Sequence, residues 1–139
     1  MIAGKKRGPR RRGGRTGIGR MPRGLRLLAD AKKELDVLAR QVVFARDGKQ
    51  CQRCGAWNGL QWAHIRSRRY LSTRWRLENS ILLCSGCHLF WHANPLAAVE
   101  WFRDKFPERA NLLRLADSRS KVDPILTKLY LEAELRKHE

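Results

Sequence analysis

The four cysteines of the chain form two pairs with the same spacing. Cys51 and Cys54 make one Cys-x-x-Cys pair, and Cys84 and Cys87 make the second. Each pair can place two thiolates on one tetrahedral ion, and four thiolates leave no coordination position open. The spacing therefore predicts a structural Zn²⁺ site. A thioredoxin-like redox pair is the alternative, which is disfavoured because neither pair follows the strand of a βαβ unit.

Three of the four histidines lie in the same part of the chain. His88 and His92 are four residues apart, so on a helix they share a face and both imidazoles can reach one further metal ion. A packed histidine pair without a chemical role is the alternative. His64 ends the short β-favouring run Leu60-Gln-Trp-Ala-His, which predicts a strand.

The order of these residues resembles that of the HNH endonucleases that have a ββα-metal core and a four-cysteine zinc site. The similar stretch runs from Arg46 to His92. The resemblance implies that His64 is the general base that takes a proton from the attacking water. It implies that Asn79 either orients this base or helps to hold a metal. His88, the last letter of the motif, and His92 would bind a catalytic divalent ion such as Mg²⁺, Mn²⁺, Ni²⁺ or Zn²⁺.

The chain departs from this family at the position before the base. Family members often have a metal-binding Asp or His there, whereas this chain has Ala63, which cannot coordinate a metal. The ion would then be held by His88, His92, water and the substrate, or by Asn79. Taken without the resemblance, Asn79 is a typical turn residue.

Residues 66–76 combine five arginines with two aromatic residues. Guanidinium groups match phosphate oxygens, and aromatic rings can contact bases or sugars or pack on the core. The pattern predicts phosphate contacts from four arginines, namely Arg66, Arg68, Arg69 and Arg74.

The chain has a formal net charge of +17, with 30 Lys and Arg against 13 Asp and Glu. A polyanion is the expected partner, DNA first, with RNA also compatible. No run approaches the roughly 18 apolar residues of a spanning helix, so a membrane is not expected. Residues 1–26 hold ten basic residues and no acidic one, which predicts a disordered basic arm that condenses on phosphates. A localisation signal or a solubility tail is the alternative.

The remaining pattern predicts an α+β domain over residues 27–139. Helical spacing of apolar residues predicts a helix over 27–47, the cysteines and histidines define a zinc-bound ββα core over 48–93, and helices fill 94–139. Pro95, Pro107 and Pro124 mark expected helix starts. The basic N-terminus is followed by no apolar secretory segment, so a cytoplasmic protein is expected. The resemblance to HNH nucleases implies a phage or bacterial origin.

These features together predict a metal-dependent HNH endonuclease that hydrolyses phosphodiester bonds in DNA. A single ββα site cuts one strand at a time, so a double-strand break would require a homodimer or two separate visits. The alternative is a catalytically inactive zinc-binding module that only binds nucleic acid. A protein that assembles on nucleic acid through its helices is a third reading, in which the histidines have no role.

Overall fold

The computed structural model of the chain describes residues 19, 21–117 and 119–139. Most of the predicted basic arm lies outside these residues. The described part contains six α-helices, a two-stranded antiparallel sheet and a 3₁₀ turn, which together make an α+β fold. The elements are, in order, α1 (Arg23–Arg46), β1 (Leu60–His64), α2 (Leu71–Arg74), the 3₁₀ turn (Leu77–Asn79), β2 (Ser80–Cys84), α3 (Ser85–Ala93), α4 (Pro95–Lys105), α5 (Pro107–Leu115) and α6 (Pro124–Arg136).

Helix α1 begins four residues earlier than the sequence predicted, directly after Pro22. Residues 23–26 are exposed, so no apolar periodicity marked this first turn, yet Arg and Leu are good helix formers. The stripe of apolar residues that the sequence predicted to face the core is buried further along the helix. Helix α1 ends near Gly48, whose φ of 65° is a conformation that glycine adopts without strain. The buried residues of the stripe are Leu35, Ala39, Val42 and Val43.

Strands β1 and β2 pair in a register that sets Trp62 opposite Leu82 and Ala63 opposite Ile81. Because directly opposite residues point to the same face, the sheet has two distinct apolar faces. Trp62 and Leu82 pack with α1 and α6, whereas Ala63 and Ile81 pack with α3 and α4. The short sheet therefore lies between two layers of helix, and residues of β1 alternate between them.

Each C-terminal helix begins with a proline at its first position, as the sequence predicted. Asp123 caps α6 by accepting hydrogen bonds from the backbone N–H groups of Ile125 and Leu126, at 2.9 and 3.1 Å. Helix α6 packs along α1, with Leu131 fully buried between them. In the part of the chain that the structure describes, no helix is both long and apolar enough to cross a membrane.

Candidate functional site

The four cysteine sulfurs form one cluster. Their Sγ atoms all lie within 4.8 Å of one another, and those of Cys54 and Cys84 are 3.6 Å apart. A tetrahedral ion with metal–sulfur bonds of about 2.3 Å would place sulfurs about 3.8 Å apart. Cys84 ends β2, and Cys87 lies in the first turn of α3. The cluster therefore has the donor set and the dimensions to hold one metal ion.

Backbone hydrogen bonds shape the first cysteine turn. The N–H of Cys51 donates to the carbonyl of Ala56 at 2.8 Å, and the N–H of Gly55 donates to the carbonyl of Cys51 at 2.9 Å.

The guanidinium of Arg53 donates to Sγ of Cys87 at 3.6 Å and lies over the ring of Phe90. Burial and the neighbouring thiols raise the pKa of Cys87 to about 12. For Cys51, burial is instead outweighed by hydrogen bonds from the neighbouring backbone and Cys54, which lower its pKa to about 6. Cys87 would lose its proton only to a bound cation, which deprotonates the thiols that coordinate it.

His88 and His92 converge on one side of α3. Their Nε2 atoms are 3.0 Å apart, and Nδ1 of His88 lies 2.6 Å from Oε1 of Gln61 on β1. A carbonyl oxygen only accepts, so Nδ1 of His88 donates and Nε2 keeps its lone pair when the ring is neutral. This lone pair accepts the hydrogen bond from Nε2–H of His92. A divalent ion that displaced this proton could be held by both nitrogens.

His64 stands at the end of β1, with its ring 4.3 Å from the ring of Trp62. Its Nε2–H donates to the carbonyl of Arg74 at 3.1 Å, which leaves the lone pair on Nδ1. Burial is the main cause that lowers the pKa of His64 to about 4, and the charges of Arg68 and Arg74 act in the same direction. The ring is therefore neutral near pH 7 and able to accept a proton.

Asp36 on α1 holds the turn around Arg74, whose backbone carbonyl binds His64. Asp36 accepts from Nε and Nη2 of Arg74, at 2.9 and 2.5 Å, and from the indole N–H of Trp75 at 2.8 Å. Burial opposes ionisation of Asp36, but the hydrogen bonds from Arg74 and Trp75 hold its pKa below the usual value. The sequence analysis did not identify Asp36, because nothing in a helix stripe marks a partner 38 residues away.

Asn79 is fully buried and holds the loop between the strands together. Its Oδ1 accepts from the backbone N–H of Arg66 at 2.7 Å, and its Nδ2 donates to the carbonyls of Thr73 at 2.9 Å and Arg66 at 3.2 Å. The predicted alternative in which Asn79 holds a metal does not fit, since both ends of the amide are taken by backbone. Asn79 instead fixes the peptide next to the Arg74 carbonyl that binds His64.

Replacing Asn79 should destabilise the protein through this loop. Asn79→Ala leaves buried backbone groups of Arg66 and Thr73 without partners, each at a cost of about 1 to 3 kcal/mol. We expect a clearly lower free energy of unfolding in urea. Asn58→Ala, in an exposed loop, is the matched control and should be nearly neutral. Equal stability of the two variants would show that the Asn79 contacts contribute little.

The four arginines predicted to contact phosphate differ in what they already bind. Arg74 is engaged by Asp36, and its side chain is only 14% exposed, so its assignment as a phosphate contact is corrected to a structural one. Arg66 donates through Nη1 to the carbonyl of Ala116 at 2.9 Å. Arg68 is exposed, with its Nη2 3.9 Å from Oδ2 of Asp36, and Arg69 is exposed as well. Two of the four thus present their guanidinium groups to solvent.

The predicted histidines are only partly brought together. His88 contacts β1 through Gln61, on the face that also holds Ala63, whereas His64 contacts Trp62 on the alternate face. Within the described residues, the four cysteines are the only group of three or more His, Cys, Asp or Glu side chains close enough to share an ion. The histidines therefore form a two-nitrogen pair and a separate neutral imidazole.

Comparisons with known proteins add no family assignment. No protein-family model, curated protein or solved structure matches the chain.

Proposed function

We propose that this protein is a metal-dependent endonuclease of the HNH type that hydrolyses phosphodiester bonds in DNA, with structural zinc in its four-cysteine cluster. The observation that carries the proposal is the 3.0 Å separation of the Nε2 atoms of His88 and His92. The succession of β1, β2 and α3 agrees with a ββα core, since β2 runs directly into the helix that carries this pair.

The histidine pair fits a divalent ion. Metal–nitrogen bonds of about 2.0 to 2.1 Å place two ligand atoms roughly 2.9 to 3.4 Å apart for octahedral to tetrahedral angles. His88 and His92 would hold the ion, and Ala63 adds no ligand, so water and substrate oxygens complete its coordination. When bound, the ion stabilises negative charge on the phosphate and on the leaving oxygen.

His64 is the proposed base. Because its ring lies on the face of β1 opposite to Gln61 and the histidine pair, the proposal requires a phosphate that reaches both faces at the end of the strand. Its Nε2 is occupied by the carbonyl of Arg74, so Nδ1 takes the proton of the attacking water. The ring is already neutral at physiological pH because its pKa is about 4. The hydrogen bonds of Asn79 and Asp36 act through this carbonyl, and both are therefore positioning residues rather than catalytic ones.

DNA is proposed as the substrate because of charge. The net charge of +17 favours a polyanion, and the exposed Arg68 and Arg69 follow directly on the loop that leaves β1. Contacts of this kind are independent of base sequence and weaken steeply as salt rises. Arg68 and Arg69 therefore position the phosphate backbone near His64 without specifying bases.

Nicking of supercoiled plasmid tests the proposal. The zinc-loaded protein is incubated with Mg²⁺, Mn²⁺, Ni²⁺ or Zn²⁺, each alone, beside a chelated control and the His88→Ala variant. We expect nicking that depends on an added ion and is lost in His88→Ala, because one imidazole cannot chelate. His138→Ala, near the C-terminus, is the control and should nick as the unchanged protein does.

Binding without nicking is the outcome that contradicts the proposal. If a mobility shift shows DNA bound by the folded protein and no ion supports nicking, the protein acts as a non-catalytic zinc-binding module. Such an outcome would have a reason in the sequence, because Ala63 stands where HNH enzymes often have a metal ligand.

A further inference from the structure

We infer that Gln61 is the positioning residue of the divalent site, fixing the tautomer of His88 so that its Nε2 directs a lone pair toward Nε2 of His92. The inference rests on the proposed function, because it assigns a role within the same histidine pair. It adds to that proposal a residue outside the HNH motif, and it explains how the site is organised from β1 although residue 63 is alanine.

The tautomer follows from the contacts of His88. Oε1 of Gln61 lies 2.6 Å from Nδ1, and this oxygen can only accept a hydrogen bond. The proton of the neutral ring must then be on Nδ1. The other nitrogen of the same ring, Nε2, lies 3.0 Å from Nε2 of His92. Without Gln61, the proton is free to move to Nε2, where it would block chelation.

The alternation of β1 explains why Gln61 has this role. Residues 61 and 63 point to the same face of a strand, which is the face covered by α3. Ala63 is fully buried beside Ile81 and Leu83, and its methyl group is too short to contribute a ligand. Gln61 is exposed, and its longer side chain reaches His88. The strand therefore organises the metal site through the hydrogen bond between Gln61 and His88, whereas an Asp or His at position 63 would bind the ion directly.

Hydrogen-bond acceptors of metal-binding imidazoles increase the affinity of a site for its ion. A group that accepts the second N–H of a ligating imidazole fixes the ring and raises its basicity, and its loss typically weakens metal binding by about 10- to 100-fold. A carboxylate does the same more strongly than an amide. Gln61→Leu should therefore weaken metal binding and Gln61→Glu should not, although both keep nearly the same volume.

The test is a titration of the zinc-loaded protein with Co²⁺, followed by calorimetry and by visible absorption. Absorption of thiolate-bound cobalt shows any exchange at the cysteines. We expect Gln61→Leu to weaken Co²⁺ binding by about 10- to 100-fold and Gln61→Glu to preserve or strengthen it. Gln41→Leu, an equivalent change at an exposed position of α1, should leave the affinity unchanged.

A second readout needs no metal at the histidine pair. Nitrogen chemical shifts of the ring should show the Nδ1–H tautomer of His88 in the unchanged protein and in Gln61→Glu, and a shift toward Nε2–H in Gln61→Leu. Unaltered tautomer and Co²⁺ affinity in Gln61→Leu would overturn the inference, even if the protein nicks DNA. The expected changes in a protein that never nicks would support the inference and refute the proposed nuclease.

Discussion

Removing the proposed zinc ion from the four-cysteine cluster is expected to unfold the sheet and α3. Cys51 and Cys87 are themselves part of the buried cluster that contains Ala63, Ile81 and Trp91, so the metal site and the apolar core are one unit. In small zinc domains, metal binding contributes about 10 to 16 kcal/mol of apparent folding free energy at neutral pH. That exceeds the whole stability of many domains of this size.

Chelation of the purified protein, followed by circular dichroism and tryptophan fluorescence, measures this effect. We expect cooperative loss of structure as the ion leaves, and recovery when Zn²⁺ is added back. Cys51→Ser should behave like the chelated protein. Ser85→Ala is a close control, since Ser85 lies between two of the cysteines but offers no thiolate. A chain that contains no metal and is nevertheless folded would contradict the prediction.

The parts of the fold that the sequence predicted are those controlled by local patterns. The apolar stripe of α1, the strand that ends in His64 and the prolines that begin α4, α5 and α6 each depend on neighbouring residues. The cysteine cluster was predictable for a related reason, because two short spacings and a limited choice of metal define it. The close approach of His88 and His92 likewise follows from helix geometry alone.

The contacts that were not predictable join distant segments. Arg74 has the same side chain as Arg68 and Arg69, and only the fold shows that Asp36 occupies its guanidinium. Asn79 is typical of exposed turns, yet here it is buried and its amide binds the backbone of a loop. Gln61 is different: its place two residues before Ala63 was visible, but its partner on α3 was not.

Substitution of His64, the proposed base, is expected to lower the rate of nicking without weakening DNA binding. Loss of a general base typically lowers the rate by about 10²- to 10⁴-fold, so His64→Ala should nick plasmid at that reduced rate while binding it normally. The unchanged protein should keep its activity down to about pH 5, because the base works when neutral and the pKa of His64 is about 4. A histidine with the ordinary value would lose activity below about pH 6.5.

The arginine beside this histidine makes the pH profile a sharper test. Arg68 lowers the pKa of His64 by charge repulsion, so Arg68→Gln should move the acidic limb of the profile to higher pH. Zinc content is measured at each pH, since protonated cysteines release the ion. A limb near pH 6.5 in the unchanged protein would mean that His64 is more solvated than its contacts with Trp62 and Arg74 imply.

The same pKa also makes His64 a source of acid instability. The folded state lowers the pKa of this ring, so it binds fewer protons than the unfolded chain between about pH 6.5 and pH 4. Above this window the titration of His64 does not change the free energy of unfolding. At pH 5 it lowers this free energy by about 2 kcal/mol, and below the window by about 3 kcal/mol. His64→Gln removes this titration. When the pH is lowered from 7.5 to 5, the free energy of unfolding in urea of His64→Gln should therefore rise by about 2 kcal/mol relative to that of the unchanged protein. An equal pH dependence of stability in the two proteins would contradict the burial of the His64 ring on which this prediction rests.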